Sequence, residues 1–412
     1  MTGGIMFKKL SVSACVFFLI LLPFLIGGCW DQIGIKERAI VIGMGIDKIQ
    51  GDEPIRLTVQ IVNLPTLRTG ESGGIGEIGN QSSGKNFQSR ESVIIETSNG
   101  KSLNDAIHNF LKYTSRRMTF THNRIVVLGT DLAQAGVDEV FETMGRDYQF
   151  RATNWIFVAE KTAQEILESN TELGTVPAKD IDQMMMNLTK SGFILPMNSN
   201  EFILHLKNEG KCSFAPFVQV ENAEQNHKSR IMIEKTAIFK KNRLKGVLTA
   251  DESQNLIWFA DKQKSSSLIF PHRTGKSSAK VSLKISNGTT RITPQFTKDG
   301  IMMKIYCSGS AVLQGMGGIK NSPETMRQIK LAAERIMEKR LNDVIEKAKF
   351  LKADFLGYAR IIHSQCPEEW RRIKRNWDEE FPHIKSSVRF KIGGIQFGLI
   401  KDSILDMGEN GA

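Results

Sequence analysis

Apolar and polar positions repeat along this chain with two textures, and the change falls near Gly210. In the earlier part, two strand-like runs cover 39–47 and 55–62, with the GDEP turn at 51–54 between them. Leu57, Val59 and Ile61 alternate with Arg56, Thr58 and Gln60. That period of two predicts an antiparallel pair with one wet face. A strand follows at 92–96. Ser102 then caps a helix to Phe110, with Asp105 placed for a capping box and Leu103, Ile107, Phe110 and Leu111 on the buried stripe. Further strands are expected at 124–129 and 154–159, with helices at 132–144 and 163–167. Strands alternating with helices imply a largely parallel sheet with helical cover.

Two more helical stretches are expected at 180–190 and 201–206. Past Gly210, strand-like segments come without helices between them, at 236–239, 244–248, 281–285 and 301–307. Asn287-Gly288 reads as a hairpin turn. Ser322-Pro323 opens the longest helix, with a stripe of Met326, Ile329, Ala333, Ile336, Val344 and Ala348. Short helices at 355–363 and 368–378 and strands at 388–392 and 395–397 finish the chain. The expected fold class is α/β (α+β overall) and multidomain. A unit over 29–205 carries the strand–helix alternation. A mixed antiparallel region over 206–412 is backed by the helix at 323–350.

The N-terminus decides the expected compartment. Lys8 and Lys9 precede an apolar run over 16–26, too short for a comfortable bilayer span of about 20 residues. Gly27-Gly28-Cys29 follows directly, which is the pattern of a bacterial lipoprotein cleavage site. Residues 1–28 are thus expected to be a leader, with Cys29 as the lipidated first residue and the bilayer as a partner. An ordinary export signal or an uncleaved anchor is the plainer alternative. The chain carries 55 Lys+Arg against 44 Asp+Glu, a net +11. With acids interspersed nearly everywhere and an export leader in front, that excess favours an anionic lipid surface and no nucleic acid.

Candidate chemistry is sparse. Cys15, Cys29, Cys212, Cys307 and Cys366 form no CxxC pair, and the seven histidines form no HExxH or close pair. His363 and Cys366 supply two metal ligands at most, so no metal and no cofactor is expected. Gly74–Gly79 spells GxGxxG and Gly79–Lys85 spells GxxxxGK, but both lie in a glycine-rich loop without a strand and a helix around them. His122, before a strand, is expected to pin a turn rather than to catalyse. Asp47, ending a strand, is expected to cap its turn. Met184, Met185 and Met186 read as core filler, and Cys307 as a buried apolar residue. Trp370 and Trp377 are expected to pin the terminal helix rather than grip a ligand. No catalytic constellation emerges, and no enzyme is expected.

Several segments, in order, resemble the Ger(x)C-type spore germination proteins, the C subunits of nutrient germinant receptors. They are CWD at 29–31, VIGMGID at 41–47, TVQIV at 58–62, SRRMTFTH at 115–122, VVLG at 126–129 and LAQAG at 132–136. They continue with Arg146-Asp147, AIF at 237–239, LKGVL at 244–248, ADFLG at 353–357, PEEW at 367–370 and WDEEFP at 377–382. Ala359, where that family often has glycine, and the long loop at 70–84 depart from it. The resemblance implies a three-domain, non-enzymatic lipoprotein on the outer face of the spore inner membrane. It also implies two integral membrane receptor subunits as partners, one transporter-like and one polytopic. A lipid-anchored substrate-binding protein of a transporter and a cell-wall hydrolase are the competing readings. The first would need two similar lobes and the second paired carboxylates or a metal.

Overall fold

In the computed structural model, the described residues are 37–63, 93–169, 176–208, 210, 212–222, 229–260, 264–274, 277–317 and 322–397. The N-terminal pair forms as its alternation predicts: β1 (Arg38–Lys48) runs antiparallel to β2 (Ile55–Val62). β3 (Val93–Gly100) joins the outer edge of β2. Helix α1 (Leu103–Asn109) follows, and the Ser102 side chain accepts from the Asp105 N–H. Asp105 turns to the Lys101 N–H, so the capping box is only half built. Phe110 is buried but Leu111 is exposed, because a 3-10 turn at Phe110–Lys112 rotates the stripe away.

β4 (Arg117–Thr119) and β5 (Ile125–Leu128) pair parallel to β1, and β6 (Trp155–Ala159) pairs parallel to β5. The single helix expected at 132–144 is two, α2 (Thr130–Ala135) and α3 (Asp138–Arg146). Gly136, at φ 137°, makes the corner between them, a conformation L-residues rarely adopt. α4 (Ala163–Glu168), α5 (Pro177–Ser191) and α6 (Ser199–Lys207) complete the helical cover. β7 (Cys212–Asn222), β8 (Ser229–Lys240) and β9 (Arg243–Leu248) then extend the same sheet. Its order is β3-β2-β1-β5-β6-β7-β8-β9, with β4 beside β1. The change of texture near Gly210 marks where parallel crossovers give way to antiparallel hairpins within one sheet.

Both faces of this sheet are covered. Ile125, Val127 and Phe157 pack against α4 and α5, while Val126, Leu128 and Ile156 point into the opposite core. The face of β2 expected to be wet is therefore dry: Thr58 and Gln60 are buried under α4 and α5. Gln60 donates to the Leu167 carbonyl at 2.7 Å and accepts from the Ala178 N–H at 2.9 Å. The glycines of the VIGMGID strand permit that closeness, since a Cβ on Gly43 would meet Ala178 at 2.5 Å.

α7 (Ala250–Leu256) leads into a second, four-stranded sheet in the order β10 (Lys264–Thr274), β11 (Ser277–Thr297), β12 (Gly300–Gly315), β13 (Lys385–Phe397). The hairpin turn expected at Asn287-Gly288 is instead a bulge inside β11, where the register to β12 shifts between Ser286 and Thr289. Asn287 takes φ 53° there. The chain actually reverses after Thr297, with Gly300 at φ 108°.

β12 and β13 are parallel, joined by a crossover containing α8 (Pro323–Phe350). The buried stripe of α8 includes Ile329, Ala333, Met337, Leu341, Val344, Ile345 and Ala348, whereas Met326 and Ile336 are half-buried. That burial contributes on the order of 10 kcal/mol. α8 also closes the free edge of β13: Glu334 accepts the Ile392 N–H at 2.9 Å and Glu338 accepts that of Phe390 at 3.1 Å. A parallel edge strand would otherwise offer these donors to another chain. Glu334→Ala is expected to cost about 2 kcal/mol in urea unfolding, because a buried donor loses a charged acceptor. Unchanged stability with unchanged association state would contradict this role.

Candidate functional site

The residues singled out by sequence do not converge on one site. Asp47 lies at the C-terminal end of β1, where β1 meets α4. Its two carboxylate oxygens accept the N–H groups of Ala163 at 2.7 Å and Gln164 at 3.0 Å. Asp47 therefore caps a helix far along the chain, not its own turn. Burial pushes its carboxyl up, and those two N–H groups pull it partly back. Gly129 stands against the carboxylate, in space a Cβ would take. His122 is exposed, beside a turn closed by the Asn123 N–H on the Phe120 carbonyl at 2.9 Å. Met185 is fully buried with Met184 packed beside it, as expected of filler, and Cys307 is buried.

The C-terminal segment gathers an aromatic cluster. α9 (Tyr358–Gln365), α10 (Pro367–Ile373) and α11 (Trp377–Glu380) replace the two continuous short helices expected there. Trp370 and Trp377 meet edge to face with centroids 5.1 Å apart, and both are buried. Phe381 joins Trp377 at 5.8 Å, and His363 stacks on Trp370 at 6.1 Å. The indoles thus pin this segment and present no open platform. His363 is spent on that stack, and among the described residues no group of His, Cys, Asp and Glu is arranged to hold a metal ion.

The best-formed concavity lies where the first sheet meets the C-terminal helices, a cleft of about 290 Å³. Leu195, Met197, Phe214, Phe259 and Leu356 supply apolar lining, and Cys212 and Asp354 line the cleft together with Glu201, His205, Asn208 and Arg360. Sequence reasoning placed Cys212 only among the unpaired cysteines and gave Asp354 no role of its own. Asp354 caps α9 by accepting the N–H groups of Tyr358 at 2.9 Å and Ala359 at 2.7 Å. Gly357 makes the corner before α9 at φ 78°. Burial pushes the Asp354 carboxyl up to about 7, against the pull of those donors. The Trp377 indole N–H faces the carboxyl without completing hydrogen-bond geometry.

Burial, and then the nearby Asp354 charge, push the Cys212 thiol up to about 12. It is a protonated thiol at neutral pH, and so a poor nucleophile. Another missed carboxylate, Asp182, is half of an ion pair with Arg124 at 2.6 Å and also accepts from the Trp155 indole at 3.0 Å. The buried acids are therefore occupied in capping and pairing. The only signal for Asp354 in the sequence was an acid three residues ahead of a glycine at a helix start. Cys29 and the glycine-rich loop at 70–84 lie outside the described residues.

Residues 31–220 match the family model described as the spore germination protein N-terminal domain. Residues 234–398 match the one described as spore germination B3/GerAC like, C-terminal. Among curated relatives, spore germination protein KC of Bacillus subtilis is 25% identical over 404 residues, covering 93% of this chain and 94% of its own. Putative spore germination protein YfkR of the same organism is 24% identical, covering 95% of this chain and 99% of its own. The crystal structure of the GerBC protein overlaps with a TM-score of 0.54 at 17% identity, over 86% of this chain and 96% of its own. No helix among the described residues is long and apolar enough to cross a membrane. With one model on most of the first sheet and the other on β8, β9 and the whole second sheet, the chain belongs to the GerAC family of spore germination proteins.

Proposed function

We propose that this chain is a non-enzymatic lipoprotein subunit of a spore nutrient germinant receptor. In this reading residues 1–28 are removed, Cys29 carries the acyl chains, and the body sits on the outer face of the spore inner membrane beside two integral membrane subunits. The observation that carries it is the continuity of the likeness, which covers 93% and 95% of this chain and 94% and 99% of the two curated relatives named above. The GGC pattern behind an eleven-residue apolar run supports the anchor. The occupation of Asp47, Cys212 and Asp354 in capping and burial supports a binding or assembly role over catalysis. A transporter's binding protein would bring two similar lobes, whereas a nine-stranded sheet stands here beside a four-stranded one.

The test is to tag the C-terminus, solubilise spore inner membranes in mild detergent, and identify what co-purifies. The mass of the Cys29 peptide is read in the same experiment. A polytopic, permease-like protein and a second integral membrane subunit, with an acylated Cys29, are expected, and Cys29→Ala is expected to leave most of the protein off the membrane and slow the nutrient response. A lone protein with a bare thiol at Cys29 would overturn the reading.

A further inference from the structure

The second sheet has one face packed under α8 and α9 and one face that no described residue covers. On the open face the register aligns Arg291 of β11 with Tyr306 of β12 and Arg389 of β13. The next rows align Thr293 with Lys304 and Ser387, and Gln295 with Met302 and Lys385. Lys280 and Lys284 extend the same face along β11, where Val281, Leu283 and Ile285 turn inward. Not one aspartate or glutamate occurs in any of the four strands. In a chain with 44 acids, that is a marked local exclusion. Lys391, at the margin, is held by Glu334 at 3.4 Å from the side of α8, and the other cations named here face solvent. Large side chains stand out among them: Tyr306 is 51% exposed and Ile269 is 61% exposed.

We propose that this open face rests on the surface of an anionic phospholipid bilayer. Lysines and arginines spread over a broad sheet, without a groove, match a diffuse layer of negative headgroups better than one discrete ligand. A phenol and an aliphatic tip between them suit the boundary between headgroups and acyl chains. The choice of a membrane over an acidic protein rests on the lipid-anchored reading above. Arg38 begins β1 nine residues after Cys29, and a chain of that length reaches at most about 30 Å. The anchor therefore holds the body close enough for a field that decays over about 10 Å at 0.1 M salt to act in most orientations. Docked this way, the sheet would fix how the body stands on the membrane, which acyl chains alone leave free.

The test uses the full, membrane-anchored chain with a solvatochromic amino acid in place of Thr293 on the open face, or of Tyr148 in the first sheet's unit as a control. Vesicles are made of phosphatidylcholine with or without phosphatidylglycerol. The expected result is a blue shift at position 293 alone, only with phosphatidylglycerol, and reversed by high salt. Lys304→Glu with Arg389→Glu is expected to weaken that response at least about tenfold, each cation near the surface being worth about fivefold. Both positions are exposed, so these changes leave the fold intact. An acylated chain that stays on vesicles in high salt, with position 293 insensitive to lipid, overturns the docking and leaves the anchor standing. A chain with a bare Cys29 whose position 293 still responds to phosphatidylglycerol sinks the anchor and keeps the face. A response to polyglutamate or RNA but not to anionic vesicles reassigns the face to another class of partner and overturns the proposal.

Discussion

Trp370→Ala is expected to destabilise the protein by about 4 kcal/mol and lower its Tm by about 10 °C. Trp370 is 1% exposed and touches both Trp377 and His363. Alanine removes the largest side chain of α10 and leaves a cavity beside Trp377 and His363. Edge-to-face pairing contributes about 1 kcal/mol beyond the area buried. Trp370→Phe keeps a ring at that place and is expected to lose about half as much. If the pair were instead a platform for an aromatic ligand, alanine would spare the melting point and abolish binding. An unchanged thermal transition in the alanine variant would therefore refute the pinning role.

Much of this architecture was legible because the core writes itself into local periods. The strands at 39–47, 124–129 and 154–159 were readable from short apolar runs, and α8 from its Ser-Pro start and long stripe. Errors arose where tertiary cover overrode a local sign. Thr58 and Gln60 read as a wet face, but both are covered by helices arriving more than a hundred residues later, which meet the polar atoms of Gln60. Asn287-Gly288 carries the residues of a tight turn, yet both flanks pair with the same strand, β12, and the register shift between them is taken up as a bulge. β10 was missed because its polar run, Ser265 to Ser267, hid a strand whose apolar side chains begin at Leu268. Asp47 and Asp354 were hard to read for a related reason. Each caps a helix start that the topology, and not the adjacent sequence, brings to it in the first case, and a glycine corner folds back to it in the second.

Stability is expected to fall as pH rises from about 5 to about 8, and Asp354 is expected to account for about 2 to 3 kcal/mol of that fall. The carboxyl stands at about 7 in the folded protein against an ordinary 3.8, so the folded state holds its proton more tightly than the unfolded chain does. Stability from such a group is fully present below about pH 4 and is lost progressively until about pH 7, some 4 kcal/mol in all. Desolvation at the end of the cleft drives the shift and outweighs the two backbone N–H groups that favour the charged form. Asp354→Ala removes the titration and also leaves the first turn of α9 without its acceptors, so it is expected to cost about 2 to 4 kcal/mol near pH 5. Near pH 8 the same substitution also removes a buried charge, and its cost should shrink toward zero. Urea unfolding of both proteins across this range decides the matter, since parallel pH slopes would remove Asp354 as the source. A converging pair would identify the junction of α9 with the first sheet as the place where the fold loosens toward alkaline pH. Cys212 lies beside that carboxyl, and the new charge would hold its thiol protonated and slow to alkylate even as the junction weakens.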